Sequence, residues 1–342
     1  MLISIINGAN ELIFPLKFVR TFLLFILLYF FWLELSESVT YKKFVKLFVF
    51  MVAIHSVIIL CAIIFSDFRQ ALYGLTGYVP RGPEWSRSPG LTISFNAPTI
   101  VHIAGLWLLL SRPDWRGWKR WCLGLLILSS FVFLGRTISF VGFILIVIFL
   151  IFQLNWKKKI LYGVGSVVII LLVVMTADVE FDVNDGTYGK VMSNYHHFID
   201  PILNFGQAGG VDFYDEHLAS HIYLSDDWFV VMFGESYAGH IGLAGGQGVT
   251  GSDIGVINSI NANGILVTIC IFLFYFSIIW SCRKNDWQPV AIVGLLSLAL
   301  SFKETGLFTS HATPLFFLLY FYQMDSQKNI KSSLLQQKKK LG

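Results

Sequence analysis

Nine apolar runs follow one another along this chain of 342 residues, near 14–35, 45–66, 92–110, 120–135, 138–154, 160–177, 256–281, 287–302 and 308–324. Most approach the roughly 17–25 residues that carry an α-helix across a bilayer. Nothing else in the sequence limits the fold as much, because only helices and closed barrels satisfy their own backbone polar groups in lipid. Charged residues make up 13% of the chain, about half the share of a soluble domain. The expected fold is a single all-α polytopic integral membrane domain over 1–342, with about nine transmembrane helices.

Basic residues orient such a chain. The clusters are Lys42/Lys43/Lys46, Arg112/Arg116/Lys119/Arg120, Lys157/Lys158/Lys159, Arg283/Lys284 and the tail at 325–342. The positive-inside rule assigns all of them to the cytoplasm. Two long segments then fall outside, the smaller at 67–91 and the larger at 178–255, with a third outside turn at 303–314. This parity puts the N-terminus outside with an odd number of spans. A tenth, half-buried element within 1–20 or a lost N-terminal part would account for that. MLISIINGANELIF has neither a basic n-region nor a small-residue cleavage site, so no cleavable signal is expected. Cys61, Cys122, Cys270 and Cys282 lie in or at the ends of apolar runs, where neither a disulfide framework nor a zinc site is supported.

FVFLGRTISFVGF, residues 131–143, carries an arginine in an otherwise apolar setting. At the bilayer centre a guanidinium costs about 2.5–3.5 kcal/mol on insertion scales. One helix over 121–154 would reach about 51 Å, far beyond a hydrocarbon core of about 30 Å. Basic clusters at both ends also require an even number of crossings between them. Two short helices with Gly135-Arg136-Thr137 as the turn satisfy both demands and put Arg136 at the outer mouth of a hairpin.

Arg69, Arg81, Arg87, Arg136 and Lys303 form the outside exceptions to the inward bias of basic residues. Each has two readings. One is snorkelling toward lipid headgroups. The other is an anion clamp, since guanidinium forks match phosphate bidentately and stay charged. Bases for a hydroxyl nucleophile are offered by Asp253, His240 and His311, all outside. Asp253 also reads as a helix N-cap. His240 also reads as part of a flexible glycine-rich loop, GESYAGHIGLAGGQGVTGSDIG, which lacks the Gly-Lys-Ser/Thr ending of a nucleotide loop. Trp228, after Asp226 and Asp227, and Trp85 suit either a sugar face or an interfacial aromatic belt. His55 and His102 fall inside spans, where a bond to a neighbouring helix is the commoner role. Short, partly amphipathic surface helices are expected in HHFIDPILNFG and EHLASHIYLSDDWFVVMFG. No metal-site spacing is present, and no cofactor, nucleotide sugar or nucleic acid is called for.

Four stretches together carry a family resemblance: RSPGLTISFNAP (87–98), FLGRTISFVGF (133–143), SDIGVINSINANGI (252–265) and SFKETGLFTSHATPLFFLLYF (301–321). The layout resembles the Wzy-type O-antigen and capsule repeat-unit polymerases of the bacterial inner membrane. The likeness covers most of 80–325, and the chain is short for that family. It implies a GT-C-like helical fold with the active site facing the periplasm. The implied activity is transfer of a growing glycan from undecaprenyl pyrophosphate to a hydroxyl of another lipid-linked oligosaccharide. Arg87 and Arg136, with Lys303, would hold pyrophosphate, and Asp253 or His240 would serve the acceptor. Membrane lipid and a chain-length regulator protein are the implied partners. The related O-antigen ligases share this architecture and form the alternative. A flippase or transporter is a further one, but it would need charges deep within several spans.

Overall fold

In a computed structural model the chain is described at residues 13–77, 88, 90–92, 96–111, 117–131, 133–134, 136–153, 228–233, 255–283, 287–303 and 312–325. All the regular structure among these residues is helical. The elements are α1 (Ile13–Ser38), α2 (Tyr41–Ile64), α3 (Ser66–Thr76), α4 (Asn96–Ser111), α5 (Trp118–Phe131), α6 (Arg136–Gln153), α7 (Trp228–Phe233), α8 (Gly255–Ser281) and α9 (Gln288–Lys303). A tenth helix, α10, covers 313–325. Among the described residues, two stretches are long and apolar enough to cross a membrane by length and composition, Tyr41–Ile64 and Gly264–Ser281. Ala97–Ser111 and Gln288–Leu300 are shorter apolar helices. The expected run at 160–177, nearly all of the segment 178–255 and the tail beyond Asp325 lie outside the described residues.

The chain divides into two compact units. One comprises Phe44–Asp212, and the other combines Met1–Lys43 with Phe213–Gly342.

In the Phe44–Asp212 unit, α4 is the central element. Ala97, Ile100, Ile103, Ala104, Leu106, Trp107, Leu108 and Leu109 are all buried, as expected of a helix that is apolar all round. Small residues let its neighbours approach. Gly105 faces Val52 of α2, Gly142 of α6 faces Ile103, and Gly124 of α5 faces Leu109. α2 buries Val45, Val49, Val52, Ser56, Ile59 and Ile63 at helical spacing. Its other side exposes Leu47, Phe50, Met51, Ile54 and Val57. A helix facing water would carry polar residues there.

The apolar run around Arg136 does split into two helices. α5 ends at Phe131 and α6 begins at Arg136. Phe133 and Leu134 lie in the connection and are buried with Ile59 and Ile63 near the end of α2. Arg136 is therefore the first residue of α6 rather than the middle of a turn. Part of the expected 67–91 loop is also helical. α3 closes at Gly77, whose φ of 69° gives a left-handed C-terminal cap.

The other unit is held by aromatic contacts between α1, α8 and α10. Phe25 sits edge-on to Phe317 at 4.8 Å and tilts against Phe321 at 5.1 Å. Trp32 lies against Phe321 and Tyr322, and Tyr275 stacks on Phe316 at 4.8 Å. Gly294 of α9 lies so close to Ile279 and Phe316 that an added Cβ would come within 2.8 Å of each. Tyr322 donates to the Val39 carbonyl at 3.2 Å, and Gln323 Nε2 donates to the Tyr41 hydroxyl at 3.3 Å. The expected continuous span over 256–281 is broken. Gly264 has φ 81° and ψ 158°, outside helical space. α7 packs on α8 with the Met232 carbonyl at that break.

Candidate functional site

Within the Phe44–Asp212 unit, a short irregular segment at 88–92 is pinned between α2 and the α5–α6 connection. The Ser88 amide donates to the Phe133 carbonyl at 3.2 Å. Ser88 is fully buried, and its Oγ accepts the Gly90 amide at 3.3 Å. Gly90 has φ 64° and lies directly over the His55 ring, where a Cβ would overlap Nε2. Only glycine fits both the left-handed backbone and that approach. The Leu91 amide then donates to His55 Nε2 at 3.0 Å. Phe131, where α5 ends, is tied to α6 by Ser139 Oγ, which donates to the Phe131 carbonyl at 3.3 Å.

Beneath the segment lies a polar network of residues from three helices. His55 Nδ1 is 2.8 Å from His102 Nε2, and His102 Nδ1 is 2.8 Å from Ser130 Oγ. Ser56 Oγ lies 3.4 Å from His102 Nδ1 and 3.3 Å from Ser130 Oγ. Ser56, His102 and Ser130 are fully buried, and both hydroxyls donate to their own helices, Ser56 to Val52 and Ser130 to Ile127. The two span histidines thus bond to neighbouring helices, and to each other.

The sequence-derived candidates are distributed as follows. Arg136 opens α6, three residues after Phe133. Arg87 lies outside the described residues, but its chain neighbour Ser88 bonds to Phe133. Arg69 is half-buried on α3, the helix that continues from the end of α2. Lys303 is the last residue of α9, in the other unit. Trp228 opens α7 and is 70% exposed. Arg81, His240, Asp253 and His311 lie outside the described residues. Sequence reasoning missed Ser88, Gly90, Ser130 and Phe133. The Gly90 position alone offered a signal, a Pro-Gly pair before an apolar run.

Chemically, the described part of this site offers a fixed backbone junction leading into two arginines. Of its described hydroxyls, Ser56 and Ser130 donate to helix carbonyls, and Ser88 accepts the Gly90 amide. Among the described residues, no three of His, Cys, Asp and Glu gather to hold a metal ion. No family model, curated protein or solved structure matches this chain.

Proposed function

We propose that the chain is a multi-pass protein of the bacterial inner membrane with about nine spans, acting at its periplasmic face as a metal-independent polysaccharide polymerase. Its donor is an oligosaccharide repeat unit on undecaprenyl pyrophosphate. The acceptor is a hydroxyl on a second lipid-linked unit. That hydroxyl oxygen forms a bond to the donor's anomeric carbon. The bond from this carbon to the pyrophosphate oxygen breaks, and its electron pair leaves with the phosphate. The hydroxyl proton passes to an outside base, for which Asp253, His240 and His311 are the candidates. Arg87 and Arg136 hold the pyrophosphate and neutralise the charge that grows on it, an effect worth most in a site with little water. Lys303, Arg69 and Arg81 are the further cations for this role, and Trp228 is the candidate sugar platform.

The observation that carries this reading is the Ser88–Phe133 bond. It ties the residue after Arg87 to the connection leading into Arg136, which favours a shared anion site over two separate snorkelling arginines. Multi-pass insertion is supported by the apolar outer face of α2 and by the similar exposure of Leu266, Ile269, Leu273 and Phe276 on α8. A transporter fits less well. Beyond Lys46, neither of the two span-length stretches contains a charged residue, so charge does not line a path through them.

The test is the surface glycan of a deletion strain. A polymerase leaves the lipid A core capped with a single repeat unit. Loss of all repeat units from the core, with polymer accumulating on the carrier lipid, would instead make the protein the ligase.

A further inference from the structure

We infer that His55 and His102 are positioning residues. They form a latch of fixed proton order that holds Gly90 and Leu91 and, through them, Ser88 against the α5–α6 connection leading to Arg136. This rests on the proposed arginine site and adds to it the buried device that sets its geometry.

The proton order follows from chemistry alone. A backbone amide can only donate, so the Leu91 bond makes His55 Nε2 an acceptor. A neutral His55 then carries its proton on Nδ1 and donates to His102 Nε2. That leaves the proton of His102 on Nδ1, where it donates to Ser130 Oγ, with Ser56 Oγ as a longer second partner. Both hydroxyl protons are already given to the Ile127 and Val52 carbonyls. Every donor has an acceptor, and no other placement of the two neutral imidazole protons works. If His102 kept a proton on Nε2, His55 Nδ1 would have to accept, and its ring would have no proton left.

The members span α2 (His55, Ser56), α4 (His102) and α5 (Ser130), with Leu91 as the end of the line. The His102–Ser130 bond is buried and the His55–His102 bond half-buried, and a buried polar group left without its partner costs about 1–3 kcal/mol; the Leu91 bond lies at the exposed end of the line. The bond from Ser88 to Phe133 closes the loop from the other side. A packing role for the histidines would be met by any side chain of similar volume. The latch instead needs an acceptor facing Leu91 and a donor facing His102, which Gln supplies and Leu does not.

The experiment compares His55→Leu with His55→Gln in the full chain. Amide hydrogen exchange at 90–92 is followed in nanodiscs, and polymer is measured in the complemented deletion strain at matched membrane levels. The latch predicts that His55→Leu speeds Leu91 exchange by about tenfold, the equivalent of one net hydrogen bond, and loses polymer. His55→Gln keeps both near the parent. Unchanged exchange in His55→Leu would overturn the latch, and faster exchange with undiminished polymer would overturn its positioning role. Failure of the polymerase reading looks different. Arg87→Ala and Arg136→Ala would then leave polymer intact, while the exchange contrast between Leu and Gln persists.

Discussion

Gly264→Ala tests how α7 is joined to the long helix beneath it. Gly264 adopts φ 81° and ψ 158°, a region that side-chain-bearing residues occupy at about 1–3 kcal/mol of strain. Space is lacking as well. An added Cβ would overlap the Met232 carbonyl oxygen and lie 2.6 Å from the Phe233 carbonyl carbon. These are backbone atoms, which cannot turn aside as a side-chain tip can. Overpacking of this kind adds about 1–3 kcal/mol, so the substitution costs about 2–6 kcal/mol in all, unless α7 lifts off α8. Gly77→Ala is the matched control. Its φ is also left-handed, at 69°, but nothing lies within 4 Å of the added atom, which leaves about 1 kcal/mol of conformational cost. Thermal unfolding of the purified protein in detergent reads both. Gly264→Ala should lower Tm on the order of 10 °C, and Gly77→Ala by much less. Equal, small shifts for the two would refute the packing of α7 against the helix break.

Gly142→Ala should destabilise by about 1–3 kcal/mol, because its Cβ overlaps the end of the Ile103 side chain. Ile103→Val shortens that side chain, and the double variant should regain most of the lost Tm. Phe133→Ala removes a ring buried with Ile59 and Ile63 and should cost about 3–5 kcal/mol, with polymer length falling in step as the α5–α6 connection loosens. Arg136→Lys should cut polymer yield well below the parent at equal membrane levels, because an ammonium cannot reproduce a bidentate fork on phosphate. Normal yield would leave Arg136 as an interfacial anchor.

Charge parity and length were enough to read the division at Arg136, since a helix over 121–154 is too long for a bilayer and joins two basic clusters. The turn itself was harder to see. Its described residues, Phe133 and Leu134, are apolar and buried with Ile59 and Ile63, and such residues carry no turn signal. Arg136 could therefore be assigned to the hairpin mouth but not to the first turn of α6. α3 was hidden for a different reason. An 11-residue helix is too short for a hydropathy window tuned to spans, and its Phe68, Leu72 and Leu75 sit among polar neighbours. The break at Gly264 had only an isolated glycine to announce it. Its conformation is set by the approach of Met232, more than 30 residues earlier in the chain. The histidine pair was least legible of all. His55 and His102 are 47 residues apart, and each alone reads as an ordinary polar residue of a span. Only packing of α2 on α4 joins them, and only the Leu91 amide fixes their protons.

The most direct measurement uses the purified protein in proteoliposomes with undecaprenyl-pyrophosphate-linked repeat units and no nucleotide sugar. Glycan length and released undecaprenyl pyrophosphate are followed for the parent, Arg87→Ala and Arg136→Ala. The parent should build a ladder of multiples of the repeat and release one carrier pyrophosphate for each linkage formed. Both variants should insert normally and build none. A parent that forms no glycosidic linkage from these substrates, or arginine variants that match its ladder, would contradict the account.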